Sequence, residues 1–120
     1  MMKPMKIKFE TLAEFEKDLK RLLKKYRTLE SDLEDVRKDL SVEPEAHEPF
    51  SFRISGLGIT TCVINIKKIA SDSFKGSGRN SGFRLIYAYF KEEQRIVFVE
   101  LYHKNDKENE DKQRILNNFK

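Results

Sequence analysis

The stretch FRLIYAYFKEEQRIVFVELYH, residues 83–103, decides the fold of this chain. It contains two runs rich in aromatic and β-branched residues, Phe83 to Phe90 and Ile96 to His103, joined by the polar link KEEQR. Two such runs around a short polar link predict an antiparallel β-hairpin. In a regular hairpin of this length Arg84 pairs with Tyr102, so an arginine and a tyrosine should lie side by side near one end.

The same hairpin has two chemically different faces, because side chains alternate along a strand. If the hairpin is regular, Phe90 pairs with Ile96, and Ile86 then pairs with Glu100. One face of the first strand is apolar and aromatic, and it holds Phe83, Leu85, Tyr87 and Tyr89. On the second strand, the face expected to pack on helices holds Val97, Val99 and Leu101. The opposite face of that strand holds Ile96, Phe98, Glu100 and Tyr102.

The N-terminal third of the chain predicts a short strand followed by two helices. Residues 5–9 alternate between apolar residues and lysine, which is typical of a strand with one wet face. Apolar residues then recur at helical spacing from Leu12 to Tyr26 and again from Leu29 to Leu40. Capping boxes at Thr11–Glu14 and Ser31–Glu34 lie near the two helix starts. Two such helices form a helical hairpin, whose apolar stripe needs a sheet or another helix to cover it.

Further strands follow a proline-containing loop, Ser41 to Pro49. Phe50 to Ile54 and Thr60 to Ile69 have strand-like composition, and a glycine-rich basic loop, Lys75 to Gly82, leads into the hairpin. The charged C-terminus could end in a short helix. This order predicts a single α+β domain over residues 1–120. It has an N-terminal strand, a helical hairpin and then a mainly antiparallel sheet of three to four strands.

The positive charge of the chain is concentrated beside this sheet. The 24 Lys and Arg residues exceed the 20 Asp and Glu residues by four, whereas residues 1–60 carry 12 of each sign. Between Lys67 and Arg84, five cationic residues stand against Asp72 alone, a local excess equal to that of the whole chain. Such a concentration predicts a surface that binds phosphates. The total excess is too small to hold nucleic acid tightly through charge alone.

The sequence also indicates the cellular compartment in which we expect the protein. Cys62 is the one cysteine, so the chain can form no internal disulfide, which fits a reducing environment. The N-terminus lacks the apolar run of a signal peptide, and no segment has the length of a membrane span. We therefore expect a cytoplasmic protein with no membrane partner.

One face of the predicted sheet gathers the residue types of a ribonuclease site. The side chains expected on that face or at its end are Lys67, Arg84, Glu100 and Tyr102, with Asn65 and His103 beside them. Cations there would stabilise the charge on a scissile phosphate, and a tyrosine or histidine would transfer protons, without a metal ion. Other interpretations stay open: an ion pair between Arg84 and Glu100, a buried structural His103, or charges on an ordinary wet face.

Two segments give the chain a family resemblance. GFRLIY at residues 82–87 and FVELYHKN at residues 98–105 resemble the RelE/ParE superfamily of bacterial toxin–antitoxin toxins, most closely its RelE and HigB-like branch. The order of elements is similar too, over about residues 5–115. The resemblance implies a compact α+β fold like that of small microbial ribonucleases. It also implies a toxin that cleaves mRNA on the ribosome by 2′-hydroxyl attack and leaves a cyclic phosphate.

The resemblance further implies roles for individual residues. Arg84 occupies the position of the family's arginine that contacts the reacting phosphate, and Lys67 matches a basic residue of the family's Lys-x-Lys/Arg strand. Asn65 stands where the first lysine of that strand is often found, which is a departure from the pattern. The terminal segment, where members place His, Tyr, Lys or Arg, holds Tyr102, His103 and Lys104.

The basic loop has a supporting role in this interpretation. It lacks the GxxxxGK[ST] spacing of a P-loop, and we expect Lys75 and Arg79 to contact RNA without catalytic duty. The implied partners are a cognate antitoxin, ribosome-bound mRNA and a toxin–antitoxin hetero-oligomer, and no cofactor or metal is implied. Two alternatives remain: a ParE-like toxin that inhibits DNA gyrase without catalysis, and an inactive RNA-binding remnant.

Overall fold

The strands of this chain form one mixed sheet. The computed structural model describes residues 6–74 and 76–120, so the predicted strand start at Met5 and the predicted RNA contact Lys75 lie outside the described residues. In chain order the elements are β1 (Lys8–Thr11), α1 (Ala13–Leu23), α2 (Leu29–Val42), β2 (Ser51–Arg53), β3 (Cys62–Ile66), a 3₁₀ turn (Asp72–Phe74), β4 (Phe83–Phe90), a second 3₁₀ turn (Lys91–Glu93), β5 (Arg95–His103) and α3 (Lys112–Phe119).

The sheet has the strand order β1-β5-β4-β3-β2. β1 runs parallel to β5, and every other neighbouring pair is antiparallel. The predicted α+β class and element order are confirmed. Four strands follow the helical hairpin. The N-terminal strand β1 joins them because it pairs with the first half of β5, the longest strand of the described chain.

The two helices of the hairpin lie against one face of the sheet. They bury one apolar stripe each, formed by Phe15, Leu19, Leu22, Leu29, Leu33, Val36 and Leu40. The predicted capping boxes were wrong, since neither Leu12 nor Thr28, which precede the helices, makes a side-chain cap. Thr11 pairs with Phe98 in the sheet instead. The helices are therefore stabilised mainly by burial of their stripes. Among the described residues no helix is long and apolar enough to cross a bilayer.

Both faces of the sheet are covered. The helix side includes the four β4 residues predicted to share a face, Phe83, Leu85, Tyr87 and Tyr89. The opposite face carries a second apolar cluster, which includes Ile86, Ala88, Val97, Val99 and Ile115. The ribonuclease-like site predicted for this face would require the face to be open, but most of it is covered. The C-terminal helix α3 and apolar residues of the loop after β2 pack onto it.

A β-bulge in β5 explains a second error. Ile86 pairs with Glu100, but Tyr87 pairs with Phe98, so Val99 has no opposite residue. The predicted pairs of Arg84 with Tyr102 and of Ile86 with Glu100 are confirmed. The predicted pair of Phe90 with Ile96 was wrong, because Phe90 pairs with Arg95.

The bulge also changes which β5 side chains face the helices. A bulge adds one residue to one strand, so the alternation of faces slips by one position there. Leu101 packs on the helix side as predicted, but Val97 and Val99 lie on the other face. Ile96 and Phe98, predicted for the face away from the helices, belong to the helix-side core.

The buried carboxylate of Asp18 and the half-buried guanidinium of Arg114 hold the bulge in place. Arg114 of α3 donates a hydrogen bond to the carbonyl of Val99 at 2.9 Å, and Asp18 of α1 accepts one from the amide of Leu101 at 3.1 Å. Arg114 and Asp18 also pair with each other, with 2.7 Å between Nη1 and Oδ2. We call these two side chains and the two backbone groups the bulge clamp. It joins α1, β5 and α3 at one point.

Candidate functional site

The predicted site residues meet at one end of the sheet, where β3 and β5 end and β4 begins. Arg84 is the second residue of β4, and its cross-strand partner Tyr102 is the second-last residue of β5. Lys67 directly follows β3. The chain thus brings three segments that are distant in sequence to one place through antiparallel pairing.

Arg84 is the best-placed cation of this region. Its side chain is half-buried, and Nη1 donates a hydrogen bond to the carbonyl oxygen of Lys67 at 2.9 Å. This bond holds the guanidinium next to an exposed lysine. Neither Arg84 nor Lys67 has an ion-pair partner among residues 6–74 and 76–120. The Lys67 ammonium lies 5.4 Å from the centroid of the Phe52 ring. Cations without an ion-pair partner favour binding of an anion beside them.

Three further cations lie in the chain segments that follow β3, precede β4 and follow β5. We call the set the basic end of the sheet, and its members are Lys67, Lys68, Arg79, Arg84 and Lys104. Lys68 Nζ donates a hydrogen bond to Asn80 Oδ1 at 2.9 Å, and the Arg79 guanidinium lies 4.3 Å from the centroid of the Phe50 ring. Lys104 is exposed immediately after β5. Lys68 is part of the local charge excess between Lys67 and Arg84, but it was not predicted as a site residue.

The loop that carries Arg79 is attached to α2. The buried carboxylate of Asp32 accepts hydrogen bonds from the hydroxyl of Ser71 at 2.6 Å and from the amide of Asp72 at 3.2 Å. This attachment fixes the segment that precedes the glycine-rich loop, at Ser71 and Asp72, against the N-terminal turn of the helix. No pattern in the sequence indicates this contact, because its partners are about forty residues apart.

Tyr102 lies beneath the surface rather than on it. Its side chain is 2% exposed, and Lys107 Nζ lies 5.1 Å from the centroid of its ring. Burial raises the pKa of the Tyr102 phenol, although a hydrogen bond from Asn65 lowers it in part. The phenol therefore keeps its proton at neutral pH, which suits a proton donor better than a base.

Asn65 is the neighbour of Tyr102 in the interior. Its Nδ2 lies 3.4 Å from the Tyr102 hydroxyl, and its Oδ1 is the one buried side-chain oxygen or nitrogen without a hydrogen-bond partner in the described chain. Ile64 and Ile66 pack in the helix-side core, so Asn65 lies on the opposite face, beside Tyr102 as predicted. Asn65 is too deeply buried to touch a ligand in this arrangement.

Glu100 does not orient Arg84. It is 3% exposed and forms an ion pair with Lys107, and its Oε1 accepts a hydrogen bond from the amide of Asp111 at 2.7 Å. The interpretation of Arg84 and Glu100 as an ion pair was therefore wrong. Glu100 instead fastens the segment that follows β5, residues 104–111, across the end of the sheet. This covering segment is what buries Tyr102.

His103 lies buried on the helix side of the sheet, which agrees with its interpretation as a structural residue. Its ring stacks on Phe74 at 5.2 Å and on Tyr26 at 5.7 Å between centroids. Nδ1 accepts a hydrogen bond from the amide of Asn105 at 3.1 Å, so Nε2 carries the proton and donates to the carbonyl of Ser81 at 2.9 Å. Both ring nitrogens are thus used inside the protein.

The candidate site therefore has two parts. The part predicted to bind phosphate includes the half-buried Arg84 and the exposed Lys67 and Lys104. The residues proposed for proton transfer, Tyr102 and His103, are buried beneath it. Sequence patterns indicate the first part through charge and strand register. They contain no signal for the second, because burial depends on how the C-terminal segment folds back.

Comparisons with known proteins show which solved structures have a similar architecture. No protein-family model and no curated protein matches the chain. Among solved structures, the archaeal RelE–RelB complex from Pyrococcus horikoshii OT3 contains a similar chain. The two are 16% identical with a TM-score of 0.57, over 86% of this chain and 100% of that one. The chain has the RelE-like toxin fold.

Two structures from Helicobacter pylori share the RelE-like fold. A metal-bound toxin is 21% identical with a TM-score of 0.56, over 84% of this chain and 98% of that one. The conserved hypothetical protein HP0892 is 18% identical with a TM-score of 0.50 over the same shares. In the part of this chain that the structure describes, no three His, Cys, Asp or Glu side chains come together as a metal site would require.

Proposed function

We propose that this chain is the toxin of a type II toxin–antitoxin system that inhibits translation by cleaving ribosome-bound mRNA. The observation that carries the proposal is the Arg84–Lys67 pair. Arg84 Nη1 donates a hydrogen bond to the backbone carbonyl of Lys67, and neither cation has an ion-pair partner in the described chain. The RelE-like fold of solved toxins supports the same conclusion.

The proposed chemistry needs no group beyond the RNA, the protein side chains and solvent water. A 2′-hydroxyl gives its proton to solvent water and attacks the adjacent phosphorus, the bond to the 5′-oxygen breaks, and a 2′,3′-cyclic phosphate and a 5′-hydroxyl end form. Arg84 and Lys67 bind the phosphate and stabilise the charge that develops on its oxygens. Tyr102, whose raised pKa keeps its proton, would give that proton to the leaving 5′-oxygen.

This role for Tyr102 requires that residues 104–111 move aside. The segment is fastened by the Glu100–Lys107 ion pair and by the Asp111 amide on Glu100, and both are polar contacts that can break and form again. Presentation of the mRNA by the ribosome would compensate for the small net charge, since an excess of four holds free RNA weakly. We therefore place substrate recognition on the ribosome rather than on free RNA.

The proposed protein partner is a cognate antitoxin. The Pyrococcus horikoshii neighbour is a RelE chain in complex with RelB, which supports the same kind of partner for this chain. We propose that the chain acts as a single domain in the cytoplasm and forms a hetero-oligomer with its antitoxin. It uses neither cofactor nor metal in the proposed reaction.

A second candidate function is a RelE-like protein that binds a target without cleaving RNA. The observation that favours it is the burial of the proton-transfer residues: His103 uses both ring nitrogens internally, and Tyr102 is covered. Asn65 also favours this second candidate, because the RelE/ParE superfamily often has a lysine at its position. DNA gyrase is the target to test first, because the ParE branch of the superfamily acts on it.

A translation reaction with purified protein separates the two candidates. We expect the wild-type chain to introduce new 5′ ends within translated codons, detected by primer extension, with 2′,3′-cyclic phosphates on the upstream fragments. Arg84→Ala should lower cleavage by about 10²-fold or more, as removal of one transition-state donor does. Arg53→Ala, an exposed arginine on the edge strand β2, is the matched control. An unchanged mRNA pattern together with inhibition of gyrase supercoiling would establish the second candidate instead.

A further inference from the structure

Asn65 is a buried polar residue in an otherwise apolar part of the sheet. It belongs to β3 (Cys62–Ile66), whose last four residues are all buried. Its cross-strand neighbours are Phe52 on one side and Ile86 on the other, and neither has a side chain that can form a hydrogen bond with it. An apolar residue would occupy this position without the cost of removing an amide from water. Packing alone therefore does not explain an asparagine here.

The side-chain amide of Asn65 is only partly satisfied. The residue is 3% exposed, and Nδ2 donates a hydrogen bond to the Tyr102 hydroxyl across 3.4 Å. Oδ1 is buried and has no hydrogen-bond partner within residues 6–74 and 76–120. A buried polar atom without a partner lowers the stability of a fold. Stability therefore does not explain Asn65 either, and the contact that its side chain does make is with Tyr102.

The direction of this hydrogen bond decides what the Tyr102 hydroxyl can do. A phenol has one proton to donate and an oxygen that can accept. Because Nδ2 donates to that oxygen, the hydroxyl proton is left free for another acceptor. Burial raises the pKa of the Tyr102 phenol, and the hydrogen bond from Asn65 lowers it in part, since a donor stabilises the phenolate. The amide thus makes the phenol proton available and easier to release.

We propose that Asn65 is a positioning residue, whose Nδ2 holds the Tyr102 oxygen so that the hydroxyl proton is directed to the leaving 5′-oxygen of the RNA. This inference rests on the proposed function, in which Tyr102 gives its proton to that oxygen. The phenolate left behind takes a proton from water, and the Asn65 amide stabilises it until then. Both residues lie on strands, so their contact is kept when residues 104–111 move aside.

The first test measures the hydrogen bond without RNA, in the full-length chain with 3-fluorotyrosine at its four tyrosines. Fluorine NMR follows each phenol through its titration, and the signal missing from Tyr102→Phe identifies Tyr102. Asn65→Leu removes the donor and keeps a side chain of similar size. We expect it to raise the pKa of the Tyr102 phenol by about 0.5–1 pH unit and to leave the other three phenols unchanged.

The sign of this change is decisive. The charged groups around Tyr102 are the same in wild type and variant, and they are Glu110, Glu100, Arg84 and Lys107. A lower pKa in Asn65→Leu would show that Oδ1 accepts the phenol proton, and an unchanged pKa would show that there is no hydrogen bond. Either result overturns the inference.

Urea unfolding separates a positioning role from a structural one. Because Asn65→Leu removes an unpartnered buried oxygen, we expect a urea midpoint equal to or above that of the wild type. Asn65→Val, which is smaller and favours a strand, is the second variant in case leucine does not fit. A lower midpoint in both variants overturns the inference. The matched control is Asn117→Leu, at an exposed asparagine of α3, which should change neither the pKa of Tyr102 nor cleavage.

The last test follows mRNA cleavage in a translation reaction. Asn65→Leu should lower cleavage at least about tenfold, a part of the roughly 10²–10⁴-fold that proton transfer contributes. The loss should vanish in the Tyr102→Phe background, because Asn65 acts through the Tyr102 hydroxyl. Equal losses in both backgrounds, or cleavage by Asn65→Leu at the wild-type rate, would overturn this inference alone. A wild-type chain that cuts no mRNA would overturn the proposed function, and this inference with it.

Discussion

Removing Asp18 should destabilise the protein far more than removing any exposed charge. Its carboxylate accepts hydrogen bonds from the Leu101 amide at 3.1 Å and from Arg114 at 2.7 and 3.3 Å. The side chains of Asp18 and Arg114 are only 10% and 15% exposed. Asp18→Ala therefore removes the anionic partner of the half-buried Arg114 guanidinium and leaves the buried Leu101 amide without its acceptor. Breaking a buried ion pair from one side costs about 3–5 kcal/mol, and we expect a loss of about 4 kcal/mol.

Two single variants calibrate this value. Asp18→Asn keeps one acceptor oxygen for Leu101, but it loses the charge and replaces the acceptor of Arg114 Nη2 with a donor, so it should cost about 1–3 kcal/mol. Arg21→Ala is the matched control, because Arg21 also lies near Asp18, at 3.9 Å, but is 68% exposed. Exposed pairs of this kind contribute little, so we expect a change below about 0.5 kcal/mol.

Urea unfolding followed by far-UV circular dichroism measures all of these variants, which suits a chain without tryptophan. With a slope of about 1.5 kcal/mol/M, a loss of about 4 kcal/mol lowers the midpoint by about 2.7 M. The double variant Asp18→Ala, Arg114→Met should be less destabilised than the sum of the single variants, because it leaves no orphaned charge. A midpoint for Asp18→Ala close to that of Arg21→Ala, or full additivity in the double variant, would refute the bulge clamp.

Three further predictions concern the interior. Gly82→Ala should lower the free energy of unfolding by about 1–3 kcal/mol more than Gly56→Ala in the same urea assay. Both glycines have positive φ, but only at Gly82 would a Cβ lie 2.7 Å from His103 Nε2. Equal losses for the two variants would contradict the packing of His103. Burial raises the pKa of Tyr87, so its proton is lost near pH 10 only in the unfolded chain, and the free energy of unfolding should fall as pH rises above about 10. Tyr87→Phe should make the free energy of unfolding depend less on pH above about 10. An unchanged dependence would contradict the role given to Tyr87. Burial also raises the pKa of Cys62, so iodoacetamide at pH 8 should alkylate it more slowly than free cysteine; an equal rate would show an exposed thiolate.

Much of the fold was predictable because its signals are local. The helical stripes of α1 and α2, the alternating faces of β4 and the strand character of β5 follow from residue spacing alone. The pairing of Arg84 with Tyr102 was also predicted, but two errors cancelled in that prediction. The connection between β4 and β5 is one residue shorter than predicted, and the bulge at Val99 makes up the difference.

The rest depends on contacts between residues that are distant in sequence. The bulge is held by Asp18 and Arg114, which lie far from Val99 along the chain, so the alternation of residues 95–103 does not reveal it. Burial of Tyr102 likewise depends on Glu100 fastening Lys107 and Asp111 across the sheet. Charge and register therefore predicted where the cations of the site lie. They could not predict which neighbours the folded C-terminal segment would cover.

The most direct test of the central claim is primer extension on mRNA from a translation reaction, with wild-type chain and with the Arg84→Ala, Lys67→Ala double variant. The account predicts new 5′ ends inside translated codons for the wild type and for the control Arg53→Ala, and none for the double variant, with all three chains equally folded by circular dichroism. Cleavage by the double variant at the wild-type rate would contradict the account, and so would the absence of any new 5′ end with the wild-type chain.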